Sequence, residues 1–374
     1  MAQSWYTRLR GGAMLSIEQR ISRSDTVDTA WYRFSRDHGR TWSAPAARAT
    51  GKRTAAGMWR RHPRACHLDP VTGRFVEFWV EGVLPTDDPL EGMRQWNIFY
   101  SIDNAPPGQL IQEGAEYDAR HPLPGVYTGR NCVMLGDVAS LPLTLPDGSI
   151  LLPAVVSPLA SDGALFNPRG GYTYTDAVVL HGRWRGERLA WTAAQPVKGD
   201  PNLSTRGMDE PTLARLADGR IMMLMRGSNA GDPSLPGRRW ISWSSDGGWS
   251  WSAPRPWTYT SGESFFSPSA CSQLLRHSNG TLYWVGHITP SNPRGNRPRY
   301  PIVMGTVDES NGLLHRETVI PIDDRGPGDD EILMLYPPCA HEDRQTREIV
   351  IHLSRISAFP EGWIGDAWLY RVAV

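Results

Sequence analysis

The chain has 374 residues, of which 39 are basic and 39 acidic, with a sequence pI near 7.2. Balanced charge offers no general field for nucleic acid or an acidic membrane surface, so neither is expected as a partner and any ligand is recognised locally. The 37 Gly, 31 Pro and 16 Trp leave little room for long helices, and short apolar or alternating runs broken by Gly, Asp, Asn and Pro point to one large all-β domain.

No run approaches the ~20 apolar residues of a membrane span. The opening "MAQSWYTRLRGGAML" lacks the apolar core of a signal peptide, so the expected location is cytoplasmic unless a leader was removed. Cys66, Cys132, Cys271 and Cys339 are far apart and form no CxxC, which suits buried free thiols.

Along the chain, the expected elements are hairpins. A first turn falls at "RGGAML" near Gly12, and others at Gly73 in "DPVTGRF", Gly148 in "LPDGSI", Gly219 in "LADGRI" and Gly280 in "RHSNGTL", each between apolar strands. Continuing that spacing places a sixth turn near Thr346 in "HEDRQTREI". Six units fit the length, with approximate bounds 1–55, 56–127, 128–205, 206–262, 263–325 and 326–374. The last strand, "AWLYRVAV", is expected to pair near the N-terminus and close the ring.

A second repeat lies between the turns. "SRDHGRTW" (Ser35, Asp37, Gly39, Trp42) and "SSDGGWSW" (Ser244, Asp246, Gly248, Trp251) both read S-x-D-x-G-x-x-W, and weaker copies occur at Ser101–Asp103 and Thr306–Gly312. Ser and Asp can bond the loop's own N–H groups, Gly supplies a positive φ, and Trp covers the turn. In "MDEPTLARLADGRIMMLMRGS" the turn at Gly219 lies between Glu210 and Arg226. Strands rise by about 3.3 Å per residue, so a midway turn returns the two side chains to one height.

The S-x-D-x-G-x-x-W loop is the Asp-box. Its copies, with the sixfold hairpin period, resemble the sialidase (neuraminidase) superfamily, which implies a six-bladed β-propeller of four-stranded antiparallel blades. The resemblance implies that the boxes are structural. It also implies a terminal acidic sugar on a glycan or oligosaccharide as substrate; separately from the resemblance, no cofactor and no metal are expected. An anomeric carboxylate repels an Asp or Glu nucleophile, so such enzymes attack with Tyr. Tyr336 in "LMLYPPC" matches the nucleophile, Glu210 its base and Arg226 one arginine of the carboxylate clamp. A further clamp arginine is expected from "SNPRGNRPRYP", either Arg297 or Arg299. The acid/base is expected on "RISRSDTVDT", which offers Asp25 and Asp28, Asp25 being the better positional match.

The first unit departs from the family. It has "SWYTRLRGG" where an Arg-Ile-Pro motif is expected, while Arg64 in "RRHPRACHL" belongs to the second unit. The clamp is therefore incomplete or rebuilt. His62, His67, His121 and His287 are alternative bases, and His287 in "WVGHITPSN", which follows an apolar strand and stands before the arginine-rich loop, reads either as a substrate contact or as a satisfied core or rim histidine. Scattered histidines make no zinc pattern, and Asp87–Asp88 and Asp329–Asp330 read as solvated loops. Trp59, Trp96 and Trp240 are candidates for stacking on sugar. Two rival functions remain open: a uronate lyase or glycosidase using His and Tyr, and a glycan-binding propeller without catalysis. Oligomeric state is left open.

Overall fold

A computed structural model describes residues 1–110, 126, 129–136 and 140–374. Six antiparallel sheets of four or five strands follow one another along the chain and form the blades of a β-propeller. The fourth is representative: Asp209–Arg215, Ile221–Arg226, Arg239–Ser244 and Arg255–Pro256 pair in chain order. Among the described residues, helix is confined to the short turns Pro89–Glu91, Gly92–Gln95 and Arg316–Thr318.

All six expected turns between the first two strands of a blade are present. Backbone N–H to carbonyl bonds close them at Thr7–Ala13 (3.0 Å), Asp69–Arg74 (2.9 Å), Leu145–Ser149 (2.8 Å), Leu216–Arg220 (2.8 Å), His277–Thr281 (3.0 Å) and Asp343–Glu348 (2.9 Å). The turn at Gly219 needs a φ of 92°, which glycine adopts without strain, whereas the sixth turn places Arg347 at φ 64°.

Both full Asp-boxes form as the residue types require. Ser244 Oγ donates to Asp246 Oδ1 (2.7 Å) and accepts from Gly248 N–H (2.8 Å), while Ser250 donates to the same carboxylate through its N–H (3.0 Å) and hydroxyl (2.5 Å). In the first blade, Asp37 is held in the same way by Ser35 and Thr41.

Neighbouring blades pack through apolar side chains contributed from both sides. The second and third share Phe78, Val80, Leu152 and Leu180, and the fourth and fifth bury Trp257 and Trp284 against Leu224 and Ile241. Each fully buried aliphatic side chain is worth about 1.5–3 kcal/mol relative to exposure. The four cysteines are buried, and none of them forms a disulfide.

Ring closure differs from the expectation. Among the described residues, the strand Gly362–Val372 pairs with Ile349–Phe359 as the outer strand of the sixth blade, and its one backbone bond to the N-terminal region runs from Trp363 N–H to Ser22 O at 2.8 Å. Closure is made instead by the inner strand Ala2–Tyr6, which packs against Cys339–Glu342 and Ile349–Phe359. There Ser4 Oγ meets His352 Nε2 at 2.8 Å, and Arg344 N–H donates to Tyr6 OH at 3.0 Å. The seam thus uses polar side chains that the alternation of a single strand does not reveal. The first bound also moves, because Gly51–Thr54 pairs with Gly57–Leu68 in the second blade.

Candidate functional site

A cavity of about 580 Å³ opens where the inner strands converge. It gathers Asp25, Arg64, Glu210, Arg226, Arg297, Arg299 and Tyr336 from blades one, two, four, five and six. Five arginines (64, 206, 226, 297, 299) face three carboxylates (Asp25, Asp209, Glu210), so the lining carries an excess of positive charge within a chain that is neutral overall.

Glu210 owes its position to a break in the sheet. Asp209 pairs with Arg226 and Thr212 with Leu224, so Glu210 and Pro211 form a bulge at the cavity end of the strand. Proline supplies no ladder donor there. Glu210 has φ 44°, a left-handed conformation rare for a residue with a side chain, and Asp209 Oδ1 accepts its N–H at 2.8 Å. Its Oε1 accepts the Tyr336 hydroxyl proton at 3.1 Å, and its Oε2 lies 2.8 Å from Arg226 Nη1. Arg226 Nη2 reaches Asp209 at 2.8 Å. Gly136 lies so close that a Cβ there would stand 3.1 Å from both Cα and Cγ of Glu210.

Tyr336 is buried, and the Arg299 guanidinium lies 3.9 Å from the centre of its ring. Arg299 Nη2 is anchored on Ser269 O at 3.0 Å. The structure thereby separates the two candidates of the fifth blade: Arg299 is buried against Tyr336, and Arg297 is exposed at the cavity wall. Arg64 is the extra residue of a second bulge, between Pro63 and Ala65, and it lines the cavity.

Asp25 also has positive φ, 52°, and its Oδ2 accepts from Ser24 Oγ (2.8 Å) and Tyr172 OH (3.2 Å). Burial, then the Asp25 charge, pushes the Tyr172 phenol well above its usual range. Arg206 lies near the same ring, 5.7 Å from its centre, and donates to Thr173 Oγ1 at 2.6 Å. Burial and the Arg226 charge lower its pKa.

Sequence reasoning missed Arg206, Tyr172 and Arg239. Arg206 stands four residues before Glu210 in "TRGMDE", and that proximity is its only signal. Arg239 pairs with Arg226 across neighbouring strands, is fully buried, and is brought down to about 10 by desolvation. That value leaves it charged at neutral pH, adding positive potential behind Glu210 and Tyr336.

The histidines divide. His62 lines the cavity; burial and the Arg64 and Arg60 charges hold its pKa well below the usual imidazole value. Its Nε2 accepts from Val27 N–H at 3.4 Å, so the proton of the neutral ring resides on Nδ1. His287 does not line the cavity, which corrects the expectation of a substrate contact. It ends an apolar strand inside the core, donates to Leu335 O at 2.8 Å, and is depressed to about 3 by burial. His67 lies elsewhere, against Thr144, and His121 falls outside the described residues. Of the tryptophans proposed to stack on sugar, Trp96 lines the cavity. Trp240 belongs to the core and Trp59 bonds Glu81. The hairpin between the last two strands adds Phe359 and Trp363 to the wall.

A family model described as a BNR repeat-like domain matches residues 93–318. No curated protein matches in sequence. Among solved structures, the chain resembles an intramolecular trans-sialidase from Ruminococcus gnavus in complex with oseltamivir carboxylate, at 11% identity and TM-score 0.63, covering 100% of this chain and 94% of that one. The NanB sialidase of Streptococcus pneumoniae, as its K499G mutant, gives 11% identity and 0.62 over 100% and 68%. An alpha-L-arabinanase of Penicillium chrysogenum, complexed with arabinobiose, gives 15% and 0.55 over 99% and 92%. At these identities the likeness establishes the fold.

Proposed function

Because the chain belongs to the BNR repeat-like domain family, we propose that its propeller carries a glycoside hydrolase that removes a terminal acidic sugar from a glycan with retention of configuration. The observation that carries this reading is the Tyr336 hydroxyl donating to Glu210 Oε1 at 3.1 Å beside an arginine-rich wall.

A phenol is a weak nucleophile at neutral pH until a base removes its proton. Glu210 lies within the 2.6–3.2 Å reach of a general base. As the proton moves to Glu210, negative charge develops on Tyr336, whose ring lies under the Arg299 guanidinium and within the field of the buried Arg239, and both charges favour it. Tyr336 then attacks the anomeric carbon, and Asp25 protonates the departing oxygen. In the second step Asp25 takes a proton from water as the water oxygen bonds to the anomeric carbon, and the Tyr336 oxygen leaves and recovers its proton from Glu210. Arg226 and Arg299 hold the substrate carboxylate, and Arg64 and Arg206 substitute for the arginine missing from the first blade.

A lyase acting through His62 is disfavoured, because the nitrogen that could accept a proton already accepts the Val27 N–H. The test is release of a fluorescent aglycone from sialic-acid and uronic-acid glycosides by the native chain and by Glu210→Gln and Tyr336→Phe. Turnover of the sialoside, lost in both variants, supports the assignment. A product from a uronate polymer that absorbs in the ultraviolet would identify a lyase. Tight sugar binding with no turnover, unchanged in Glu210→Gln, would identify a binding protein.

A further inference from the structure

Beside the central cavity lies a second, open groove of about 360 Å³, lined by Asn292, Arg294, Arg297, Pro298, Tyr300, Glu331 and Leu333. Arg297 lines both, so the two spaces meet at its side chain. Arg294 and Arg297 form an antiparallel bridge, with Arg294 N–H to Arg297 O at 2.8 Å and Arg297 N–H to Arg294 O at 3.2 Å. Residues directly opposed in such a bridge project to the same side, and like charges so placed repel. Among the described residues neither guanidinium is ion-paired, and Glu331 is the sole carboxylate in the lining.

The loop is held rigidly enough to keep those charges together. Asn229 binds it from both sides, donating to Pro293 O (2.8 Å) and accepting from Gly295 N–H (2.8 Å), while Asn292 Oδ1 accepts from Gly237 N–H (2.7 Å). Ser269 N–H donates to Gly295 O at 2.8 Å. Tyr300, Pro298 and Leu333 provide an apolar floor on which the face of a sugar ring can lie. A preorganised pair of unneutralised guanidinium groups above an apolar floor suits a pyranose carrying a carboxylate or sulfate.

We propose that this groove binds the leaving-group side of the substrate and selects glycans with an anionic substituent on the sugar next to the scissile bond. The proposal rests on the hydrolase reading for its place in catalysis, while its anion specificity can be measured without turnover. Arg294 is the residue to change, because it lines the groove and not the central cavity.

Binding of lactose and lactose 3′-sulfate would be measured calorimetrically for the native chain, Arg294→Gln and Arg294→Lys at low and moderate salt. The expected result is at least tenfold preference for the sulfated sugar at low salt, reduced about fivefold or more by Arg294→Gln, largely kept by Arg294→Lys, and weakened by salt. Cleavage of a small aryl glycoside, which has no second sugar, should stay within twofold in Arg294→Gln. Equal binding of the two sugars, or a preference that survives Arg294→Gln, overturns the proposal. If the preference depends on Arg294 but no glycoside is cleaved, the groove stands as an anion site and the hydrolase reading falls. If glycosides are cleaved without the preference, the reverse holds.

Discussion

Two carboxylates in the fourth blade, Asp246 and Glu210, show how one functional group serves opposite ends. Asp246 is satisfied within its own loop by Ser244, Trp249 and Ser250, and these hydrogen bonds hold its pKa far below the ordinary carboxylate range against the effect of burial. Glu210 receives its side-chain partners from another strand of its own blade, Arg226, and from the sixth blade, Tyr336. A carboxylate satisfied locally stiffens a turn. One whose partners converge across a ring can exchange a proton with them, provided the ring holds them in place.

The sharpest way to test that contrast is to remove the proton acceptor. Glu210→Gln should lower kcat/KM for an acidic glycoside about a thousandfold, in line with the 10²–10⁴-fold contribution of a positioned general base. Arg226 keeps Asp209 as its partner, so far-ultraviolet circular dichroism should be unchanged. Tyr336→Phe leaves the ring beneath Arg299 but removes the nucleophilic oxygen, and a loss of at least a hundredfold is expected in the same assay.

A finer test leaves every chemical group in place. Gly136→Ala brings a methyl group to 3.1 Å from Glu210 and forces a shift of a few tenths of an ångström. A loss of about tenfold in kcat with little change in KM is expected, since small misplacements of reacting groups are costly. A fall in thermal stability without a fall in kcat would break the link to Glu210.

On the structural side, Asp246→Ala should lower Tm at neutral pH by a few degrees and leave catalysis within twofold. Because folding depresses the Asp246 pKa, its contribution is complete above the unfolded value of 3.8 and is lost as pH falls below it. The gap in Tm between native chain and variant should therefore narrow in acid.

Asp176 supplies the opposite sign. Desolvation raises its pKa from 3.8 to about 6, outweighing the Lys198 charge and the Gly199 N–H. The folded state thus binds the proton more tightly, and stability declines as pH rises from about 4 to about 6. Asp176→Asn should raise Tm slightly at pH 7.5 and leave it unchanged at pH 4, as thermal melts at the two pH values would show.

Much of the frame was legible because its determinants are local. Each hairpin turn is written in a few adjacent residues, and the Asp-box binds its own backbone. Glu210 and Arg226 were readable because one turn midway between them sets their height. Arg64 and Arg206 depend on where loops and bulges from separate blades point, and no spacing along the chain encodes that. Pro63 precedes one bulge and Pro211 lies within the other, a signal visible only once the strands are paired. The arginine-rich loop announced its chemistry, while the assignment of Arg299 to the buried wall and Arg297 to the rim came from packing against Tyr336.

The sequence by itself determined an all-β chain with a sixfold hairpin period, the Asp-box loops and the placing of Glu210 and Arg226 at the same end of one hairpin, since all of these follow from contacts across a single turn. Tertiary structure alone decided that the ring closes by packing of Ala2–Tyr6 against the sixth blade, that His287 belongs to the core, and that five arginines share one cavity. Those outcomes depend on how six blades pack around an axis, and the side chains that meet there are separated in sequence by whole blades.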